Sequence, residues 1–373
     1  MSVSRVLALA WAMCCTAGWA QAPVRIGMVV EMTGSYAEYG PEAMRGATLA
    51  LEEINRAGGV LGLPLEIVTE DNESTNPGSV VAVSHLLANR DVKAIITTLH
   101  SSQVHAMMPA IAQGGVPTLT GGTSHALTQA NNPWIFRVRP HDGYSARVIA
   151  DFGVNTLKKK KWAIVYAAES FGIDAKDRLT VALKSFGITP VTVQGVNSQT
   201  QNFAPVCPVL KKAEVDVVAT YLTAIAAGNF ARQLRQCGLD SQLIGSTSLS
   251  SPRARRIALE ALDNSYSVRD YVADANAQAR HFARTYADKW AGEADLRASW
   301  VYDAVHLLAL AINNAGSAAP AAIREALLAV RNHPGVLGTY AFDANGDGMH
   351  GYTIVRNRGE DTVLIKRVSY SPK

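Results

Sequence analysis

The feature that most constrains the fold is a regular alternation of short, wholly apolar runs with longer amphipathic ones. "VRIGMVVE" (24–31) reads as a strand, and "PEAMRGATLALEEINRAGG" (41–59) as a helix with Pro41 in its first turn and Gly58-Gly59 as its stop. "LPLEIVTED", "NPGSVVAVSHLLANR", "KAIITT" and "VPTLT" continue the pattern. Strands apolar along their whole length, separated by helices, indicate parallel sheets covered on both faces. A second series follows "RVRPHDGYS": strand 162–167, helix 172–186, strand 188–195, helix 202–213, strand 215–221, helix 226–237 and strand 242–245. Two like series in 373 residues, more than one core usually serves, predict two α/β lobes of similar architecture. Residues 273–331 read as mostly helical, and the closing segments "GTYAFDANGDGMHGYTIVRN" and "TVLIKRV" as hairpins.

The first residues have a different character. "MSVSRVLALAWAMCCTAGWAQA" carries Arg5, an apolar run from Val6 to about Thr16, and small residues ending at Ala20-Gln21-Ala22. This is the layout of a secretory signal peptide (1–22), cut near residues 20–22, and the run is too short for a membrane span. Export removes Cys14 and Cys15 and leaves Cys207 and Cys237 in an oxidising compartment. They could pair, but Cys207 falls mid-helix and Cys237 at a helix end, which weighs against Cα atoms coming within bridging distance. The net charge of +4 is small for this length and the basic residues are dispersed, so nucleic acid is not an expected partner.

Several motifs are weaker than they look. "DANGDG" (343–348) begins like a calcium loop, but Ile354 stands where a bidentate Glu is needed, so it reads as a polar hairpin turn. "KKKK" (158–161) reads as a solvated helix end, and "GTSHA" (122–126) lacks the second glycine of a nucleophile elbow. There is no CxxC pair, zinc spacing, P-loop or dinucleotide fingerprint, so no metal or cofactor is expected.

The chemistry points instead to two adjacent strand ends. "KAIITT" runs through Leu99-His100 into a helix whose Val104, Met107, Met108 and Ile111 form one buried face, with Ser101 or Ser102 as its N-cap. His100 and His105 are five apart, not the i, i+4 pair that binds zinc on a helix face. "VPTLT" ends in "GGTSHALT", more small residues and hydroxyls before a helix. Ligands of parallel α/β sheets bind beyond the carboxyl ends of the strands, and helix N-terminal amides suit a carboxylate. Ser101, Gly121, Gly122 and Thr123 are therefore expected on one binding rim.

"IGMVVEMTGSYAEYGPEAMRGATLALEEINRAGGVLGLPLEIVTEDN", "HSS", "TGGTSHALT", "FRVRPHD", "WAIVYAAESFG" and "SWVYDAVHLLALAI", in this order, resemble the leucine/isoleucine/valine-binding proteins, periplasmic components of ABC transporters. The resemblance implies the type I periplasmic binding protein fold: two doubly wound parallel-sheet lobes joined by a three-crossover hinge near 140, 270 and 337. The N-terminal lobe would be 23–140 plus 270–336 and the C-terminal lobe 141–269 plus 337–373. It implies that Ser101 binds a ligand carboxylate and that Gly121 and Thr123 hold carboxylate and ammonium. Tyr39 and Phe171 would flank the ligand, with His100 beside it and Thr223 at a further wall position. Thr247 falls where amino-acid-binding members carry the glutamate that pairs with the ammonium. Either another acid such as Glu169 replaces it, or the solute has no amino group; Arg297 lies near the last family contact. The implied role is a monomeric, periplasmic, non-enzymatic solute-binding protein that works with an ABC permease. Its ligand would be a small carboxylate, a branched-chain amino acid by family default or an aromatic or other amino-free acid. A secreted serine hydrolase using Ser101 or Ser124, and a ligand sensor of the same fold, are the rival readings.

Overall fold

The computed structural model describes residues 22–371. The segment read from the sequence as a signal peptide (1–22) lies outside the described residues except for Ala22. Eleven α-helices and fourteen strands follow in the described chain, most of them in βα alternation.

The first half is built from β1 (Val24–Val30), α1 (Tyr39–Arg56), β2 (Leu65–Asp71), α2 (Asn76–Ala88), β3 (Val92–Ile96), α3 (Ser101–Gly114), β4 (Thr118–Thr120) and β5 (Ile135–Arg137). Its five strands are all parallel, in the order β2-β1-β3-β4-β5. The period of two explains why β1 has no polar face. Ile26, Met28 and Val30 enter one core, and Val29 enters the other with Val83 and Leu86 of α2 and Val104, Met107 and Ile111 of α3.

The second half runs α4 (Asp142–Asp151), β6 (Trp162–Ala167), α5 (Ser170–Lys184), β7 (Thr192–Val196), α6 (Val206–Lys212), β8 (Val217–Tyr221), α7 (Ala224–Gln236), β9 (Gln242–Gly245), α8 (Pro252–Ala258) and β10 (Tyr266–Arg269). The order β7-β6-β8-β9-β10 repeats the winding of the first sheet. Again the faces divide by parity: Trp162 and Ile164 pack with α4 and α5, while Ala163 and Val165 pack with α6 and α7.

The chain then returns to the first half through α9 (Ala277–Trp290), α10 (Leu296–Ala315), α11 (Pro320–Leu328) and the small pair β11 (His333–Pro334) and β12 (Thr339–Tyr340). Helix α10 covers the first sheet beside α1, whose Gly46 lies so close to Ala298 that an added Cβ would sit 2.0 Å from that carbonyl oxygen. Finally β13 (Gly351–Arg358) and β14 (Asp361–Ser369) form an antiparallel hairpin, with β13 extending the second sheet alongside β10.

Three sequence expectations are corrected. The chain was expected to leave the first half near 337, yet Leu337, Tyr340, Phe342 and Met349 belong to its core. Buried Asp303 of α10 anchors them, accepting the N–H groups of Val336 (2.8 Å) and Leu337 (2.9 Å) and the Tyr340 hydroxyl (2.8 Å). "DANGDG" is not a strand-connecting hairpin turn: Asp347 reaches across to Arg137 of β5. And Cys207 and Cys237 are disulfide-bonded, with Cα atoms 6.3 Å apart. With Pro205 as its N-cap, α6 starts at Val206, four residues later than expected, so Cys207 lies in its first turn, and Gln233 of α7 bonds Phe203 N–H (2.7 Å) and the Gln201 carbonyl (2.7 Å), drawing that turn to the end of α7.

Candidate ligand-binding site

The carboxyl ends of the two parallel sheets face one cavity of ≈ 90 Å³. At roughly 10–15 Å³ per water this is room for about six to nine waters, the scale of a small organic molecule. The first half contributes Tyr39, Leu99, His100, Ser101 and Thr123, and the second half Glu169, Phe171, Thr223, Ala224 and Ser246–Ser248. The start of α10 adds Asp295, Leu296 and Arg297, and the connecting segments add Arg139, Asp142, Asp270 and Tyr352.

Ser101 is not the N-cap that its position suggested. His100 holds that place, and Ser101 is the first residue of α3. Its hydroxyl instead accepts the Ser124 N–H (3.1 Å), joining two neighbouring strand ends. The first intrahelical bond of α3 is made by Val104 N–H to the His100 carbonyl (3.1 Å), so the amides of Ser101, Ser102 and Gln103 precede it and present the positive end of the helix to the cavity rim.

Arg137, with no exposed surface, shapes the loop that carries Thr123. It donates to Asp347 (2.6 Å), to the carbonyls of Gly122 (3.2 Å), Ser124 (2.5 Å) and His125 (3.3 Å), and to the Thr128 hydroxyl (2.6 Å). Gly121 backs the site rather than lining it: a Cβ there would meet the Trp300 ring at 2.8 Å, so no larger residue fits under α10.

Arg139 is equally buried and joins three segments. Its Nε donates to Asp270 (2.6 Å), Nη1 to the Gly121 carbonyl (3.0 Å) and Nη2 to the Thr247 hydroxyl (3.4 Å). Thus Thr247 faces an arginine of the chain itself. Three residues on, the Asp142 N–H bonds the Thr123 carbonyl (2.8 Å), while burial pushes its carboxyl up to about 8 and leaves Oδ2 without a partner among the described residues.

A stack of rings forms the other side. His100 lies against Tyr36 at 4.0 Å and Tyr39 at 5.4 Å, and the Arg297 guanidinium covers Tyr39 at 3.8 Å. Arg297 also pairs with Glu42 (3.1 Å) and Asp295. Burial lowers His100 to about 3 and raises Glu31, 3.9 Å away, to about 8, so both are uncharged at neutral pH. Across the cleft, Asp174 of α5 accepts the His125 N–H (2.6 Å), bringing the two halves into contact.

The residues singled out in the sequence are therefore brought together: Tyr39, His100, Ser101, Thr123, Phe171, Thr223 and Thr247 line the cavity, with Gly121 behind it. Sequence reasoning missed Arg139, Asp142, Ser246 and Asp270. The one available signal was in "IFRVRP", where two arginines interrupt an apolar strand just before a proline.

Residues 23–361 match the family model described as periplasmic binding protein, and the chain belongs to that family. Among its relatives, it is 26% identical to the leucine-, isoleucine-, valine-, threonine- and alanine-binding protein of Pseudomonas aeruginosa over 87% of both chains. In fold it is similar to the branched-chain amino acid substrate-binding protein LivJ of Streptococcus pneumoniae in complex with isoleucine (TM-score 0.83, 23% identity, 93% of this chain and 100% of that one). It is equally similar to an ABC transporter solute-binding protein of R. palustris in complex with benzoate (TM-score 0.85, 20% identity, 93% and 97%). The fold is that of a type I periplasmic binding protein.

Proposed function

We propose that this chain is the periplasmic solute-binding component of an ABC importer and encloses a small carboxylate-bearing solute between its two halves. The observation that carries the reading is the convergence of the α3 N-terminus, the Ser101 hydroxyl and Thr123 on a cavity whose opposite wall comes from the second half. The carboxylate sits against Ser101, Thr123 and the first amides of α3. Tyr39 and Phe171 flank the solute body, His100 lies beside it, and Thr223 and Thr247 close the far wall. The relatives' names support the role: one is a binding protein for leucine, isoleucine, valine, threonine and alanine, and solved neighbours hold isoleucine or benzoate. The protein acts as a monomer that delivers its solute to a permease and carries out no reaction.

The test is a thermal-shift screen of carboxylic acids, with and without amino groups, followed by calorimetry on the best responder. One-to-one binding is expected, with melting temperature rising with ligand concentration. Ser101→Ala and Thr123→Ala should each weaken binding about tenfold, the loss of a hydrogen bond to a charged group. Unchanged affinity in both variants would show that the carboxylate lies elsewhere.

A further inference from the structure

We propose that the contact of His125 with Asp174 and Arg178 is a proton-sensitive latch between the two halves, which holds while the imidazole is neutral and weakens when it takes a proton. The latch builds on the enclosure reading above, but it is a property of the chain itself and is tested without a solute.

His125 stands in the loop after β4, and Arg137 fixes its place by donating to the carbonyls of Ser124 (2.5 Å) and His125 (3.3 Å). From the second half, α5 presents Asp174 and Arg178, one turn apart. Asp174 accepts the His125 N–H (2.6 Å), and Arg178 Nη2 lies 3.1 Å from His125 Nδ1. Arginine carries donors only, so the second bond exists only when Nδ1 bears no hydrogen. A protonated imidazole has hydrogens on both ring nitrogens; it loses that bond and sets a second cation against the guanidinium. The loop of His125 also carries Thr123, and the first turn of α5 carries Phe171, so the latch joins elements that line the cavity from opposite sides.

The neighbours set the direction of the effect. Burial, then Arg178 and Arg137, lower His125 below the ordinary imidazole range, while Asp174 and Asp347 pull it up. Both acids already serve a guanidinium, Asp174 that of Arg178 (3.4 Å) and Asp347 that of Arg137 (2.6 Å). His141 meets the His125 ring edge-on at 4.6 Å and is itself lowered to about 3, so it stays neutral where His125 titrates in the open chain. His105 of α3, which feels the Asp174 and Arg137 charges, is lowered by burial as well. Separating the halves removes Arg178 and returns His125 toward its ordinary value of about 6.5. Closure is therefore linked to proton release. The latch contributes fully above about 6.5 and is lost as pH falls below it, by up to about tenfold in the closed-to-open ratio per pH unit. Asp142 and Glu169, raised by burial in the cleft, take up protons on closure and act in the opposite sense, so the part due to His125 is read as a difference between variants.

The test is double electron-electron resonance on the purified mature chain without solute. Spin labels go on Gln113→Cys at the end of α3 and Lys184→Cys at the end of α5, both exposed positions. In that background His125→Gln keeps a neutral acceptor for Arg178 at every pH, and His125→Lys supplies a permanent cation. From about pH 8 to about pH 5, the chain with His125 should gain long distances relative to His125→Gln, and His125→Lys should show the long population throughout. The same pH response with His125 and with Gln overturns the latch. Titration of nitrogen-15-labelled histidine gives an independent check from the other half: Arg178→Gln should raise the His125 midpoint, and an unchanged midpoint takes Arg178 out of the latch and overturns it. Distances that shorten on adding isoleucine or benzoate but respond to pH alike in all variants leave the enclosure reading standing and sink this one.

Discussion

Arg137 and Arg139, separated by one valine, show how much of this protein is decided by single charged side chains. Arg137 and Asp347 form a buried pair, and truncating one partner leaves the other charge uncompensated, which typically costs about 3–5 kcal/mol. Arg137→Leu should therefore lower unfolding free energy by that amount in urea titration, whereas the double change with Asp347→Leu should recover much of it. Buried acids give a second, pH-dependent effect. Glu31 and Asp142 are raised to about 8, so the folded chain keeps protons that the unfolded chain releases above its ordinary carboxyl range, and their linkage makes stability fall as pH rises toward 8. His100 and His141 are lowered to about 3, so their linkage makes stability rise between about 3 and 6.5. The two effects oppose one another between about 4.5 and 6.5; above that the carboxyls act alone. Stability should drop by about 1–2 kcal/mol per buried carboxyl from pH 6.5 to 8, and Glu31→Gln should flatten the slope. A level or rising profile in that window would contradict the uncharged state of Glu31 and Asp142.

Among the elements, α6 and α7 carry the clearest consequence. Their disulfide closes a loop of sequence separation 30, for which the chain-entropy account gives about 3–4 kcal/mol. Cys207→Ser with Cys237→Ser should lower the denaturation midpoint accordingly while leaving the cleft residues in place. The pairing was misjudged because α6 was started at residue 202. Pro205 is the N-cap and the helix starts at Val206, so Cys207 moves from mid-helix to the end facing α7. By contrast, α1, α2, α3 and the strands between them were legible to within a few residues, because full burial on both sheet faces leaves an unbroken apolar run that periodicity can read.

At the scale of the whole molecule, the two sheets repeat one winding and share one cleft, and the segments between them are tied together. Arg139 bonds Asp270, and the Tyr352 hydroxyl donates to the Pro140 carbonyl (2.7 Å), so the three passages of the chain between the halves form a bonded cluster. On the proposed solute-binding role, this cluster is the axis about which the halves would rotate as the cleft opens and closes. Small-angle scattering should report a smaller radius of gyration when saturating ligand is added, and no change with Ser101→Ala,Thr123→Ala at the same concentration. Scattering curves that superimpose with and without ligand would argue against hinge closure.

The sequence by itself determined the α/β class, the division into two like series and the neighbourhood of the strand-end residues from Leu99 to Thr123. These follow from local apolar periodicity and from the rule that parallel strands expose their carboxyl ends to ligands. The tertiary structure decided which charges are paired and which polar atoms stay open. Arg137 and Asp347 lie 210 residues apart and Arg139 and Asp270 131 apart, and no local pattern reports a partner at that distance. Whether Thr247 faces a ligand or an arginine depends on three segments meeting, and only the packed chain brings them together.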